Sequence, residues 1–264
     1  WWFFPEMNLA GATAANILAQ LIGVCINFIV LFKGSSRLKL VISEYDLDFN
    51  LSWRLLRIGF PAAVTGLQRS GSQLVLLMVV SSFGDAPAAA FALTRRTENV
   101  VNHTSRGLGR AAGTLSAQNL GAGNTARAKL SLSWSIVYAA ILSVIAMGVL
   151  WVFSEEIAAL FSDSNEFISH ASLWIVILAF ATFPMSCVQI FTQGIANTGA
   201  TLMPMVITLL TFWIIEVPLG FGLSYLTTLD AVGVAWAIVI GNVIRSLMLY
   251  VYFLRGSWLK TGII

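Results

Sequence analysis

Charge is what this sequence has least of. Only 10% of its 264 residues are Asp, Glu, Lys or Arg, against 58% that are hydrophobic. Soluble domains carry roughly a quarter charged residues, so the composition excludes an ordinary soluble fold and points to a bilayer. Cysteine and histidine are scarce too. Cys25 and Cys187 both lie inside apolar runs with no CxxC spacing, which reads as two buried thiols, not a redox or metal pair. His103 and His170 are too few for a histidine-rich metal site. Walker, GxSxG and HExxH patterns are missing, so the chain reads as a non-enzyme without a cofactor. The start, WWFFPEMNL, lacks an initiator methionine, a basic n-region and a small-residue cleavage site. The expectation is no signal peptide, and a piece of a longer protein cut just before a span. A formal charge of +3 invites nucleic acid as a partner, but the basic residues are split between loops and one apolar segment, which membrane topology explains better.

What the sequence does contain is apolar runs long enough to cross a bilayer, which takes about 20 helical residues. Seven are read, at about 9–32, 58–82, 88–115, 130–153, 170–194, 201–226 and 231–254, giving an all-α integral membrane fold. Charges between them are one-sided. Lys33, Arg37, Lys39, Arg54 and Arg57, then Arg127 and Lys129, then Arg255 and Lys260 fall on alternate loops. The other loops hold Asp85, then Glu155, Glu156, Asp163 and Glu166, then Asp230, and no Lys or Arg. The positive-inside rule therefore puts 33–57, the QNLGAGNTARAK loop and the C-terminus in the cytoplasm, with residue 1 outside a plasma (inner) membrane. Four regions follow: an isolated span at 1–33, a cytoplasmic connector at 34–57, a six-helix bundle at 58–255 and a cytoplasmic tail at 256–264. The connector, with Leu47, Phe49, Leu51 and Trp53 among charges, is expected along the cytoplasmic interface. Sequons at Asn50 and Asn102 fall in the connector and within a span, and are read as chance.

Four arginines, Arg95, Arg96, Arg106 and Arg110, fall on the stretch FALTRRTENVVNHTSRGLGRAAG. At about 100° per residue, Leu93, Thr97, Val100, Thr104, Leu108, Ala111 and Leu115 form one stripe. Arg95, Asn99, Asn102, Arg106 and Arg110 recur on the opposite face, with Arg96 and His103 along its edge. An arginine at mid-bilayer costs about 2.5–3.5 kcal/mol on insertion scales, so this face must look at a water-filled cavity or at paired acids. Two arrangements satisfy that. One is a cavity wall; the other is a structural network in which Arg95 or Arg96 pairs with Glu98 while Arg110 snorkels.

Other runs supply partners. Gln68, Arg69 and Gln73 fall in the middle of the second, and Glu216 in the sixth, two residues before the helix-weakening Pro218. Arg69 needs a counter-ion, and Glu98 and Glu216 are the acids deep enough to serve as counter-ion or coupling groups. Gln189 and Gln193, one turn apart in the fifth run, are placed either to hydrogen-bond a ligand or to link helices.

In chain order, WRLLRIGFPAA, AAGTLSAQNLGAGNTARAK, LFSDSNEFISHAS, TQGIANTGATLMPM, PLGFGLSY and LDAVGVAWA resemble the multidrug and toxic compound extrusion (MATE) transporters. The likeness runs from the first span to the end. It implies the last span of a first six-helix lobe plus the whole second lobe of a twelve-span protein, the first lobe being a partner. Substrate would move by alternating access between lobes, a small organic compound leaving the cytoplasm in exchange for H⁺ or Na⁺. By that resemblance Gln68, Arg69, Gln73, Arg95, Arg96, Asn99, Asn102, His103, Arg106, Gln189 and Gln193 line the substrate cavity. Gly121 and Gly123 close a cytoplasmic turn, Gly194, Gly199 and Pro204 punctuate another, and Pro61 weakens the second helix near its start. These breaks are hinges or mere turns.

Departures from the family pattern are informative. Some members carry a membrane glutamate eight residues after the proline of their GLP; here that position, counted from Pro61, is Arg69. Some carry an aspartate eight residues before the first glycine of the turn written here GIANTGAT; here it is Ser186. Ion coupling is thus expected to depend on the absent lobe, or on Glu98 or Glu216. With a net basic face, Coulomb attraction favours an anionic or zwitterionic substrate. A related flippase of lipid-linked oligosaccharides is the alternative. A retinal-type seven-helix receptor would need a lysine in the last run, which has none, and a membrane enzyme would need clustered acids and histidines.

Overall fold

The computed structural model describes residues 8–34 and 48–260, and every regular element among them is helical. The chain divides into two compact units, Trp1–Trp53 and Arg54–Ile264. In the first, α1 (Asn8–Lys33) exposes Ile17, Leu21, Phe28 and Phe32, as a lipid-facing span does. Arg37, Lys39 and Leu47, with the connector residues 35–47, lie outside the described residues, as do 1–7 and 261–264.

Helix α2 (Phe49–Ser81) starts inside the expected connector, not at 58. Asp48 explains the early start. Its Oδ1 accepts from the amides of Asn50 at 2.8 Å and Leu51 at 3.2 Å, capping the first turn. Pro61 does not interrupt the helix near its start; it is buried well inside α2. Helix α3 (Asp85–Gly121) has 37 residues and α2 has 33. At about 1.5 Å per residue both outreach the hydrocarbon core of about 30 Å, so they extend past the windows 58–82 and 88–115. Their polar faces also keep them out of the set of helices apolar enough to cross by composition. Among the described residues that set is Thr13–Lys33, Thr125–Val152, Leu202–Tyr225 and Val232–Arg255.

The turn after α3 needs glycine at one place: Gly123 has φ 76°. Asn124 then accepts from the Arg127 amide and opens α4 (Thr125–Val152). A short α5 (Ser154–Ala159) carries Glu155 and Glu156. The fifth apolar run, expected as one helix, is two: α6 (Asn165–Ala179) and α7 (Thr182–Ala196), bent by 55°. Thr182 makes the break tolerable, its Oγ1 donating to the freed carbonyl of Ala179 at 2.7 Å. The sixth run stays continuous through α8 (Leu202–Leu210), a π-helical turn (Thr211–Glu216) and α9 (Val217–Tyr225). Pro218 has no amide to give and its ring crowds the preceding turn, so the chain widens there instead of breaking. Helix α10 is Val232–Arg255.

Helices α3 and α7 meet through small residues. A Cβ on Gly109 would stand 3.2 Å from the Gln189 carbonyl and the Ile190 Cα, and one on Gly113 2.6 Å from Asn197 Nδ2. Gly194, read from sequence as a turn residue, lies inside α7 with Leu132 of α4 filling the place of its side chain. Gly199, with φ 89°, is the residue that turns the chain. Residues 256–260, expected as tail, fold back: Gly256 takes φ 69°, and Ser257–Lys260 form a 3₁₀ turn. Trp258 is fully buried there, stacked 5.7 Å from Phe253, with its indole N–H donating to the Phe253 carbonyl at 3.1 Å. Trp258→Ala should therefore cost about 3–5 kcal/mol of stability, read as an earlier thermal unfolding transition of the detergent-solubilised chain.

Candidate functional site

Helix α3 has three faces, not the two expected. The apolar stripe is largely outside, with Val100 71% and Leu115 52% exposed. Between it and the basic side runs a buried seam of Ala90, Thr94, Glu98, Ser105, Gly109, Ala112 and Ser116, which packs into the bundle. Steps of three and four also place Arg95, Asn99, Asn102 and Arg106 on one side. That side looks into a cavity of about 110 Å³. Helix α2 contributes Thr65, Gln68, Arg69, Ser72 and Gln73, again at helical spacing; α7 gives Met185, Val188, Gln189 and Thr192. Thr208 of α8, Phe212 and Glu216 of the π turn, and Asn242 and Arg245 of α10 complete the wall.

Four arginines and two glutamates face this space. Arg95 Nη1 donates to Glu98 Oε2 at 2.7 Å, one turn along α3, and the Arg95 guanidinium sits 4.9 Å from the centre of the Phe91 ring. Arg245 Nη2 donates to Glu216 Oε2 at 2.6 Å, and its Nε to Thr211 Oγ1 at 2.8 Å. The π turn and a glycine make that pair possible. A Cβ on Gly241 would lie 2.9 Å from Glu216 Oε2, so the carboxylate rests against the bare backbone of α10, one turn before Arg245. Both acids are thus occupied. Among the described residues Arg69 makes a single side-chain hydrogen bond, Nη2 to Gln189 Oε1 at 3.3 Å, and Arg106 has no hydrogen-bond partner. Buried Arg106 Nε, Arg95 Nε, Glu98 Oε1 and Thr192 Oγ1 are all unsatisfied, groups that in a folded protein normally have a partner or water. By formal charge the four arginines exceed the two glutamates by two.

The MatE family model matches residues 61–221, most of the chain. The chain belongs to the MatE family. The "Probable multidrug resistance protein YoeA" of Bacillus subtilis is 27% identical over 98% of this chain and 57% of its own length. The "FAD transporter" of Shewanella oneidensis is 25% identical over 94% of this chain and 54% of its own. A solved outward-facing multidrug resistance MATE family transporter superposes with a TM-score of 0.89 at 18% identity, over 97% of this chain and 58% of that one, which shows the shared fold. The chain therefore spans a little over half the length of the relatives it matches. MATE transporters are integral membrane proteins, and the exposed apolar side chains of α4, from Trp134 to Val152, suit that setting.

Within this MatE chain, Gln68, Arg69, Gln73, Arg95, Asn99, Asn102, Arg106 and Gln189 come together as cavity wall, with Glu98 and Glu216. Three residues expected there lie elsewhere. Arg96 points round α3 into a separate apolar groove with Val100, Val149 and Phe161, because it follows Arg95 by a single residue. His103 is exposed outside the cavity. Gln193 packs at the α3–α7 contact, its Cβ 3.2 Å from where a Cβ on Gly109 would be. The expected counter-ion for Arg69 is corrected too: neither glutamate reaches it, since Arg95 and Arg245 hold them. Arg245 was the residue missed. A lone arginine in an otherwise apolar run is the same signal that marked Arg69. Ser186, at the position where some family members carry an aspartate, is buried and shared between neighbours: Ser105 Oγ and Ser143 Oγ donate to it at 2.8 and 3.1 Å, and it donates to the Thr182 carbonyl. It holds α3, α4 and α7 together as a neutral hydroxyl cluster.

Breaking one charge pair tests this arrangement. Arg245→Ala should destabilise by about 3–5 kcal/mol, because it strands a buried carboxylate, whereas Arg245→Met combined with Glu216→Leu should recover most of that loss. Thermal unfolding of the three proteins in one detergent checks the ranking.

Proposed function

We propose that this chain is one lobe, with one further span, of a MATE-type secondary transporter that exports a small organic anion or zwitterion by alternating access. The observation that carries this reading is the pair of arginines, Arg69 and Arg106, facing a cavity whose two acids are already paired. A relative named for transport of FAD, itself an anion, supports the sign of the charge. The partner is a first lobe of matching fold, and the transporter sits in the plasma membrane with residue 1 outside and the C-terminus in the cytoplasm, the orientation favoured by the loop lysines and arginines. Counting each long or bent helix as one crossing gives the bundle six spans and the chain seven. Exchange is for H⁺ or Na⁺. Since Arg69 and Ser186 stand where acids would couple a cation, and Glu98 and Glu216 are held by arginines, the coupling site belongs to the other lobe. The family match weighs against the flippase of lipid-linked oligosaccharides.

Export from cells expressing the whole transporter tests the reading. Arg69→Ala with Arg106→Ala should lower efflux of an organic anion roughly tenfold or more, the scale of losing a charge-assisted hydrogen bond, with surface expression unchanged. Flux that ignores both substitutions would end it.

A further inference from the structure

The rest of the cavity wall says what kind of anion fits. Gln68, Gln73, Asn99 and Asn102 line it, and none of these amides has a hydrogen-bond partner among the described residues. Each amide offers two donors and an acceptor. Asn99 and Asn102 stand on the same face of α3 as Arg106, and Gln68 and Gln73 flank Arg69 along α2. Unpaired amides of this kind on a wet cavity wall bind water. A ligand with a greasy body would strip that water and return nothing, leaving several polar groups unpaired. Sites built to hydrogen-bond hydroxyl groups reject analogues that lack them by large factors. Apolar side chains on the wall are few: Met185, Val188 and Phe212. This is a poor surface for the amphipathic compounds that the word multidrug implies.

We propose that the cavity selects a hydrophilic anion, a phosphate or carboxylate group held between Arg69 and Arg106 on a body rich in hydroxyls that Gln68, Gln73, Asn99 and Asn102 recognise. A sugar phosphate has this chemistry. The planar fork of each guanidinium suits a phosphate or carboxylate, and two forks from different helices neutralise a doubly charged group. The proposal rests on the reading above, that this cavity holds the substrate, and adds the class of substrate.

The test is binding to the purified whole transporter, followed by titration calorimetry, with glucose 6-phosphate, inorganic phosphate, phenyl phosphate and tetraphenylphosphonium as probes. Glucose 6-phosphate should bind at least about tenfold more tightly than phenyl phosphate, and the cation should not compete. Arg106→Ala should weaken both esters about tenfold or more, and Arg106→Lys, which keeps the charge and loses the fork, should fall between. Asn99→Ala with Asn102→Ala should remove the sugar's advantage and leave phenyl phosphate within about twofold, an outcome that general unfolding cannot mimic. In nanodiscs, competition by phosphatidylinositol would assign the same polyol phosphate to a lipid headgroup, and no competition would assign it to a soluble ester; both uphold the chemistry. Phenyl phosphate or tetraphenylphosphonium binding as tightly as the sugar ester, Arg106→Ala without effect, or no probe binding at all would overturn it. Correct ranking without export of sugar phosphates would count against the transport reading alone. Export of an organic anion by a chain that fails the ranking would count against this proposal alone.

Discussion

An arginine in the middle of a bilayer must be answered by charge or by water, and the inner side of this bundle is arranged around that demand. Four guanidiniums converge on one space that holds two carboxylates. Each carboxylate is taken by one arginine at 2.6–2.7 Å, and the remaining two look into the cavity. Low dielectric strengthens the pairs that form and makes the unanswered charges costly. An acid in place of Arg69 would set three arginines against three acids in the same space, and the excess charge would vanish. One position on α2 therefore decides whether the chamber carries excess charge, and the scaffold around it need not change.

The scaffold is built by closeness. Helices α3 and α7 approach through Gly109 and Gly113, and α4 and α7 through Gly194, so backbones lie against side chains with no room for a methyl group. Lipid gives no hydrophobic drive for helices to associate, and contacts of this kind, with the hydroxyl cluster at Ser105, Ser143 and Ser186, are what hold them. The same closeness fixes the rotation of α3, and through it which arginines face inward. Arg95 and Arg106 share a side; Arg96, one residue on, is turned away.

Much of this was legible in the sequence, for identifiable reasons. Long apolar runs betray helices, and a 3.6-residue recurrence of Arg95, Asn99, Asn102 and Arg106 betrays a polar side, so most of the cavity wall could be named in advance. What could not be read is what depends on partners. The pairing of Glu216 with Arg245 joins residues 29 apart across a π turn and a bare glycine, and no local pattern announces it. The buried seam of α3 was misread because small residues such as Ala112 and Gly109 carry little hydropathy signal, while Val100 and Leu115 carry much and face outward. The bend between α6 and α7 escapes a hydropathy window because its signal is a single residue. Pro184, in the first turn of α7, has no amide for the carbonyl four residues back, and Thr182 answers the freed carbonyl of Ala179. Asp48 likewise starts α2 earlier than hydropathy alone would place it.

The widened turn at Thr211–Glu216 has a consequence for how this lineage can vary. One residue beyond α-helical spacing rotates everything after it by about 100°, and that rotation lets Glu216 lie across Gly241 toward Arg245. A single-codon deletion within this turn would restore a regular helix while keeping both charges in the sequence. It would swing the carboxylate off α10 and leave a third guanidinium in the chamber unanswered. At this place a gap of one is as consequential as losing the acid itself.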